Sequence, residues 1–318
     1  GNLVLGDLLL KDKSVEFAIE VLYGEKLGSI YTEMNSSQFD KQVLKYIPES
    51  STAYFTYNIN LRKAYEKAFE VIMPLLEQEK NAQIAMNVLT IELLNEFVNK
   101  DALFGTYKGS MFGSFNGIKK IKTKKIEFFY NEETFEYGEK EAEAEEDMPI
   151  FTVGFSIERN DIPEKVLKHL ARLTSKVKNM GNYWCFENAI FDSAPLYMLN
   201  KNGLFIFTND QDLALNHALG YGSKSINNVK FKNAKKSGFM YANLDVKTTL
   251  NRFPKDLLSP KQNEMIESLR GKSGSLELRS SKTTKEKTSL NLTYSFSGIE
   301  QSGKHLLDLI NTIYVVSK

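Results

Sequence analysis

Hydrophobic positions along the chain change rhythm several times. Ala53, Phe55, Tyr57 and Ile59 alternate with Tyr54, Thr56 and Asn58, the period of two that marks a strand with unlike faces. From Leu61 onward Ala64, Tyr65, Ala68, Phe69 and Ile72 recur every third or fourth position, with Arg62, Lys63, Glu66 and Lys67 opposite them. That is a helix. The same succession returns at residues 150–157, ahead of Asp161-Ile162-Pro163-Glu164, where a cap, a first-turn proline and a following Glu mark a helix start. It returns again at 238–246, before Leu250, Phe253 and Leu257, with Pro254 shortening or bending that helix.

The elements downstream of each strand and helix also recur. After the third occurrence Met265, Ile266 and Leu269 predict a helix stopped by Gly271. An alternating hairpin, 276–278 with 290–294, and a final helix through Leu306, Leu309 and Ile313 come next. After the first, a helix through Ile84, Val88, Ile91 and Val98 precedes strands near Ala102–Phe115 and Ile118–Tyr130. After the second, 196–199 and 204–208 form a hairpin about Asn200-Lys201-Asn202-Gly203. At the start, residues 3–10 and 15–23 read as another hairpin, followed by a helix through Phe39 and Val43. The pattern predicts an α+β fold of repeated strand-helix modules, with mainly antiparallel sheets packed against helices. Residues 1–147 would hold the end of one module and a full one, and residues 148–318 two related modules. The opening hairpin then belongs to a module begun upstream, as in the C-terminal part of a longer protein.

Charge refines this picture locally. Residues 131–149 carry eight glutamates and one aspartate among few apolar residues, which predicts a solvated, mobile loop at the seam. The basic run Lys119-Lys120-Ile121-Lys122-Thr123-Lys124-Lys125 reads as a strand edge charged against edge-to-edge pairing, with a polyanion patch as the alternative. Globally, 41 Lys plus Arg balance 40 Asp plus Glu, so no long-range field draws in nucleic acid. The 318 residues, 42% hydrophobic, suffice for about two packed domains. No stretch reaches the roughly 18 apolar residues of a membrane span, and the first residues lack the pattern of a signal peptide.

Candidate chemistry is sparse. Cys185 is the only cysteine, which excludes an internal disulfide and a thiolate zinc cluster; beside Trp184 and Phe186 it reads as a buried small hydrophobe. His169, His217 and His305 sit in helical patterns without a second ligand at metal spacing and read as surface or capping residues. Gly105, Gly109, Gly113 and Gly117 lie among aromatics, the signature of bulges or close backbone approach rather than a phosphate loop. Gly220-Tyr221-Gly222-Ser223 reads as a helix stop. No nucleophile elbow, EF-hand spacing or acid dyad of fixed spacing is present, so neither cofactor nor metal is expected. The sharpest candidates are Tyr183, Trp184 and Phe186 in Asn182–Asn188. Aromatics beside amides offer stacking on a sugar or a partner surface; the competing reading is that the only tryptophan anchors a core.

Three segments resemble a family of exported bacterial lipoproteins of the Bacteroides type: residues 44–51 (Leu-Lys-Tyr-Ile-Pro-Glu-Ser-Ser), 200–210 ending in Thr-Asn-Asp, and 237–244. The likeness rests on an apolar residue, proline and small polar residues ahead of a strand, and on the Thr-Asn-Asp strand end. It implies a longer precursor with a signal peptide and lipidated cysteine, held in the periplasm or at the outer-membrane surface, and it defines no catalytic residues. The expected function is a non-catalytic cell-envelope protein binding a protein, glycan or peptide, with no nucleic-acid partner and no membrane link beyond an upstream lipid anchor. The alternatives are a hydrolase acting through acidic residues and a structural spacer.

Overall fold

A computed structural model of the chain describes residues 2–35, 39–78, 81–132, 135–190, 194–220, 231–296 and 301–317. The hairpin β1 (Leu3–Lys11) and β2 (Ser14–Leu22) leads to α1 (Glu25–Met34), a 3-10 segment at Lys41–Tyr46 and β3 (Ala53–Asn58). Helices α2 (Leu61–Leu76), α3 (Ala82–Phe97) and α4 (Lys100–Gly105) precede the long hairpin β4 (Ser110–Asn131) and β5 (Glu136–Ser156). Then come α5 (Asp161–Leu173), β6 (Val177–Asn179), β7 (Trp184–Ile190), β8 (Ala194–Lys201), β9 (Leu204–Thr208) and α6 (Gln211–Ala218). A 3-10 segment at Ala234–Lys236, β10 (Met240–Asp245), α7 (Val246–Arg252), α8 (Pro260–Arg270), β11 (Ser275–Ser280), β12 (Lys287–Ser295) and α9 (Ser302–Ser317) complete the described elements.

All twelve described strands belong to one open antiparallel sheet, ordered β1-β2-β12-β11-β10-β3-β4-β5-β9-β8-β7-β6. This corrects the expected fold of repeated strand-helix modules with several sheets. Tyr54 on β3 and Tyr241 on β10 lie on adjacent strands, whereas Val153 lies on β5, between β4 and β9. The three rhythmic segments therefore do not occupy equivalent places. Local alternation reports that a strand has two faces, not which edge it will meet, and here distant edges meet: β3 pairs with β10, and β2 with β12. The expected boundary between residues 147 and 148 falls within β5.

The acidic segment is also corrected. From Glu136 onward it is β5, not a loop, and its partner is the basic run on β4. Lys120 stands opposite Asp147, with their charged groups 3.6 Å apart, and Lys122 stands opposite Glu145. Opposite charges facing across a ladder stabilise the pair that each run alone would disfavour. β3 engages β4 only at residues 110–115 and β9 engages β5 only at 152–156, so the ribbon beyond them is two-stranded. At its base a register shift between Phe115 and Ile118 coincides with Gly117 at φ +98°, a bulge that glycine accommodates without strain. Residues 100–105, within a stretch whose sequence suggests the start of a strand, form α4, capped by Asn99 accepting from the Ala102 amide.

One face of the sheet carries the larger core. Tyr54, Phe112, Leu199, Leu204, Ile206 and Tyr241 meet Val43, Leu44 and Ile47 from the 3-10 region and Ala214 and Ala218 of α6. Gly220, at φ +85° just after α6, ends that helix as expected, while 221–223 lie outside the described residues. Cys185 is buried in this core. Two histidines depart from the surface reading: His305 stacks on Phe296 with ring centroids 3.8 Å apart, and His217 is buried beside Tyr46. Among the described residues neither ring nitrogen of His217 has a hydrogen-bond partner.

Burial lowers the His217 pKa to about 4. Because the folded state disfavours the proton that the unfolded chain accepts near its ordinary pKa, stability is full above about pH 6.5 and falls as pH drops toward 4. His217→Leu should remove this component, on the order of 2–3 kcal/mol between pH 7 and pH 4.5. Urea unfolding of parent and variant at the two pH values checks it; equal pH dependence in both would refute the assignment.

Candidate functional site

The other face of the sheet is apolar from edge to edge and only partly covered. Following the register from β1 to β10, one transverse row reads Leu8, Phe17, Leu292, Leu278, Ala242. From β3 to β8 it continues as Phe55, Gly113, Val153, Phe207, Met198. At the β6 end, Leu167 of α5 packs on Trp184, Met198 and Phe205. At the other end, α9 lies against β1 and β2, with Gly303 next to Leu10. Between these helices lies a trough of about 510 Å³ whose floor belongs wholly to β3, β4, β5, β10, β11 and β12. Phe55 and Leu292, on that floor, remain 36% and 39% exposed.

The shape of the trough follows from small residues beside a large one. A Cβ on Gly113 would lie 2.3 Å from the Phe55 ring, so the ring lies flat over the neighbouring strand because that position has no side chain. Ala242 faces Phe55 from the other neighbour. On the opposite face Gly154 admits the Phe112 ring in the same way, at 2.5 Å. The sequence reading of these glycines as sites of close approach or bulges thus holds for Gly113 and Gly117.

Beyond Phe115 the trough meets α7. Asp245, the last residue of β10, caps that helix, accepting from the Thr248 amide at 2.8 Å and the Thr248 hydroxyl at 2.7 Å. The strand therefore passes into the helix without a loop. Two turns later Arg252, with Thr52, Gly117, Ile118, Thr249 and Phe253, lines a small depression that adjoins the floor through Phe115. Its Nη1 donates to the Ser50 carbonyl at 2.9 Å.

The residues singled out from sequence lie elsewhere. Tyr183 is buried and edge-on to Tyr197, with ring centroids 5.7 Å apart. Trp184 is buried beneath α5, its indole N–H donating to Glu164 at 3.3 Å, and Phe186 packs partly buried in the same cluster. The structure does not bring the three to one surface. One signal for the trough does exist in the chain: the alternating set Ala53-Phe55-Tyr57 on β3 is apolar or aromatic throughout, whereas Tyr54, Thr56 and Asn58 alternate with it.

A second depression, lined by Arg62, Asp101, Lys108 and Glu158, is polar. Arg62 pairs with Asp101 at 2.6 Å and lies over the Phe104 ring. Elsewhere Glu70, Asp161 and Glu267 have lowered pKa values, held by hydrogen bonds from Lys67, Arg159 and Lys255 respectively. Among the described residues no three His, Cys, Asp or Glu side chains gather to hold a metal, and no helix is long and apolar enough to cross a membrane.

Gly113→Ala should force the Phe55 ring off its seat and cost on the order of 1–3 kcal/mol of stability. In a Phe55→Ala background the same change should cost less than about 0.5 kcal/mol, since the obstructing ring is gone. Urea denaturation of the four proteins measures the coupling, and additive costs would show that the contact does not shape the site. Comparison of the chain with protein-family models, with curated proteins and with solved structures found no match.

Proposed function

We propose that this chain is a non-catalytic binding protein that receives an elongated apolar ligand across the centre of its sheet. The observation that carries the reading is the continuous apolar row over six strands, which no described helix covers between α5 and α9. Ligand sites are mostly apolar hollows of roughly 300–1,000 Å³, and the trough falls in that range at about 510 Å³. The carboxylates that shift do so downward, in ion pairs, whereas a general acid needs the reverse. This favours binding over the hydrolase alternative. A setting in the bacterial cell envelope, as an exported lipoprotein, enters on the resemblance of the strand-start segments alone.

An isolated acyl-length chain partitions into a fully apolar environment with an association constant of about 10⁴ M⁻¹. A dissociation constant of about 10–100 µM is therefore expected for a neutral apolar fluorophore such as N-phenyl-1-naphthylamine. Ala242→Trp, which fills the floor, and Leu292→Lys, which places a charge on it, should each weaken binding at least tenfold while leaving the circular dichroism spectrum intact. Fluorescence titration tests this. The reading fails if the parent shows no saturable binding or if neither substitution changes it.

A further inference from the structure

The trough is apolar along its floor but not at its end, and that asymmetry indicates a class of ligand. We infer that the occupant is a free long-chain carboxylate, its chain laid across the strands and its headgroup at Arg252. This rests on the reading of the trough as a ligand site and adds the chemistry of what fills it.

From β12 to β4, the strand that carries Phe115, four interstrand steps of roughly 4.8 Å span about 19 Å, close to the length of one extended chain of about sixteen carbons. The floor, from Leu292 on β12 to Val153 and Phe151 on β5, offers side chains of the same apolar kind throughout. A ligand with polar groups along its length would leave them unpaired there. The polar group of an amphipathic occupant must therefore sit at an end.

At the Phe115 end the group that meets it is a guanidinium. Arg252 is exposed and uses one nitrogen on the Ser50 carbonyl, which leaves further donors of its planar fork for an oxyanion. Asp147 on the ribbon and Asp256 after α7 are engaged by Lys120 at 3.6 and 3.9 Å. Among the described residues no carboxylate lies within ion-pair distance of Arg252. Thr249, beside it, spends its hydroxyl on the Asp245 carbonyl at 2.7 Å. An apolar floor ending in an available cation is complementary to a single-chain anion.

The test is displacement of N-phenyl-1-naphthylamine from the full chain by palmitate and by hexadecanol, equal in length but unlike in charge, both kept below self-association at pH 8. The parent should bind palmitate about fivefold more tightly than hexadecanol, the scale of an exposed ion pair. Arg252→Gln should abolish that preference by weakening palmitate alone, Arg252→Lys should keep most of it, and Ala242→Trp should weaken both ligands. Equal affinity for the two ligands in the parent, or an unchanged preference in Arg252→Gln, overturns the carboxylate assignment while leaving the trough reading intact. If neither ligand displaces the probe from a parent that binds it, the acyl-chain assignment fails. If the parent does not bind the probe at all, the trough reading fails with it. Co-sedimentation with phosphatidylglycerol vesicles that is stronger than palmitate binding, and lost in Arg252→Gln, would assign the arginine to a membrane surface and overturn the proposal.

Discussion

The structure depends on the pairing of β3 with β10. Five registered residues, 53–57 against 240–244, join strands almost two hundred positions apart in sequence and convert two sets of hairpins into one sheet. The ladder alone is modest, since each backbone hydrogen bond contributes about 1 kcal/mol net. The side chains on both faces make it specific. On the covered face the Tyr54 and Tyr241 rings lie 5.6 Å apart, and the Tyr241 hydroxyl donates to Glu277 at 2.8 Å. The same carboxylate accepts from Asn233 at 2.8 Å and from Arg279 at 2.7 Å. Burial raises the Tyr54 pKa to about 12 and pushes Tyr241 upward as well, so both phenols stay neutral donors at any physiological pH. On the open face the junction is filled by Phe55, between Ala242 and Gly113.

The two faces solve different problems. The covered face buries Val43, Leu44, Ile47, Leu204 and Ile206 almost completely, as a sheet packed on short helices and turns does. The open face is equally apolar, and among the described residues α5 and α9 pack on its two flanks. Contiguous exposed apolar areas often serve as interaction surfaces, and the proposed binding role rests on this one. The long ribbon draws no residues from the trough, because its inner end is set by the bulge at Gly117 and its length by complementary charge along β4 and β5.

Much of the local structure is legible in the chain. The strand and helix about residues 53–72, the cap and proline that open α5, the hairpin of β8 and β9, and the helix ending at Gly271 lie where the rhythm places them. Every property set by a partner distant in sequence escapes such a reading. Taken alone, the basic and acidic runs suggest an edge and a loop, although their charges are complementary and they lie on consecutive, paired strands. His217 and His305, in helical patterns without a second ligand at metal spacing, read as surface or capping positions, yet both are buried in α6 and α9. The aromatic cluster at 183–186 stands out by composition, and Trp184 sits under α5. The trough lies across six strands and has no local signature except the apolar alternation of Ala53, Phe55 and Tyr57 on β3. No repeating pattern in one segment can announce a surface assembled from six.

Because β3 and β10 form both the junction of the sheet and the middle of the trough, fold and site are energetically coupled. A ligand that bridges Leu278, Ala242, Phe55 and Val153 contacts both sides of the junction and is bound only when the junction is formed. It therefore stabilises the folded chain by RT ln(1 + [L]/Kd), which is about 2.7 kcal/mol when the ligand stands a hundredfold above its dissociation constant. The same geometry limits how the trough can vary. Enlarging Gly113 displaces Phe55, so narrowing the groove from that strand disturbs the ring that fills the junction. A residue without a side chain at this position is thus required by packing before any ligand is considered, and the groove beside it is a consequence of how the strands meet.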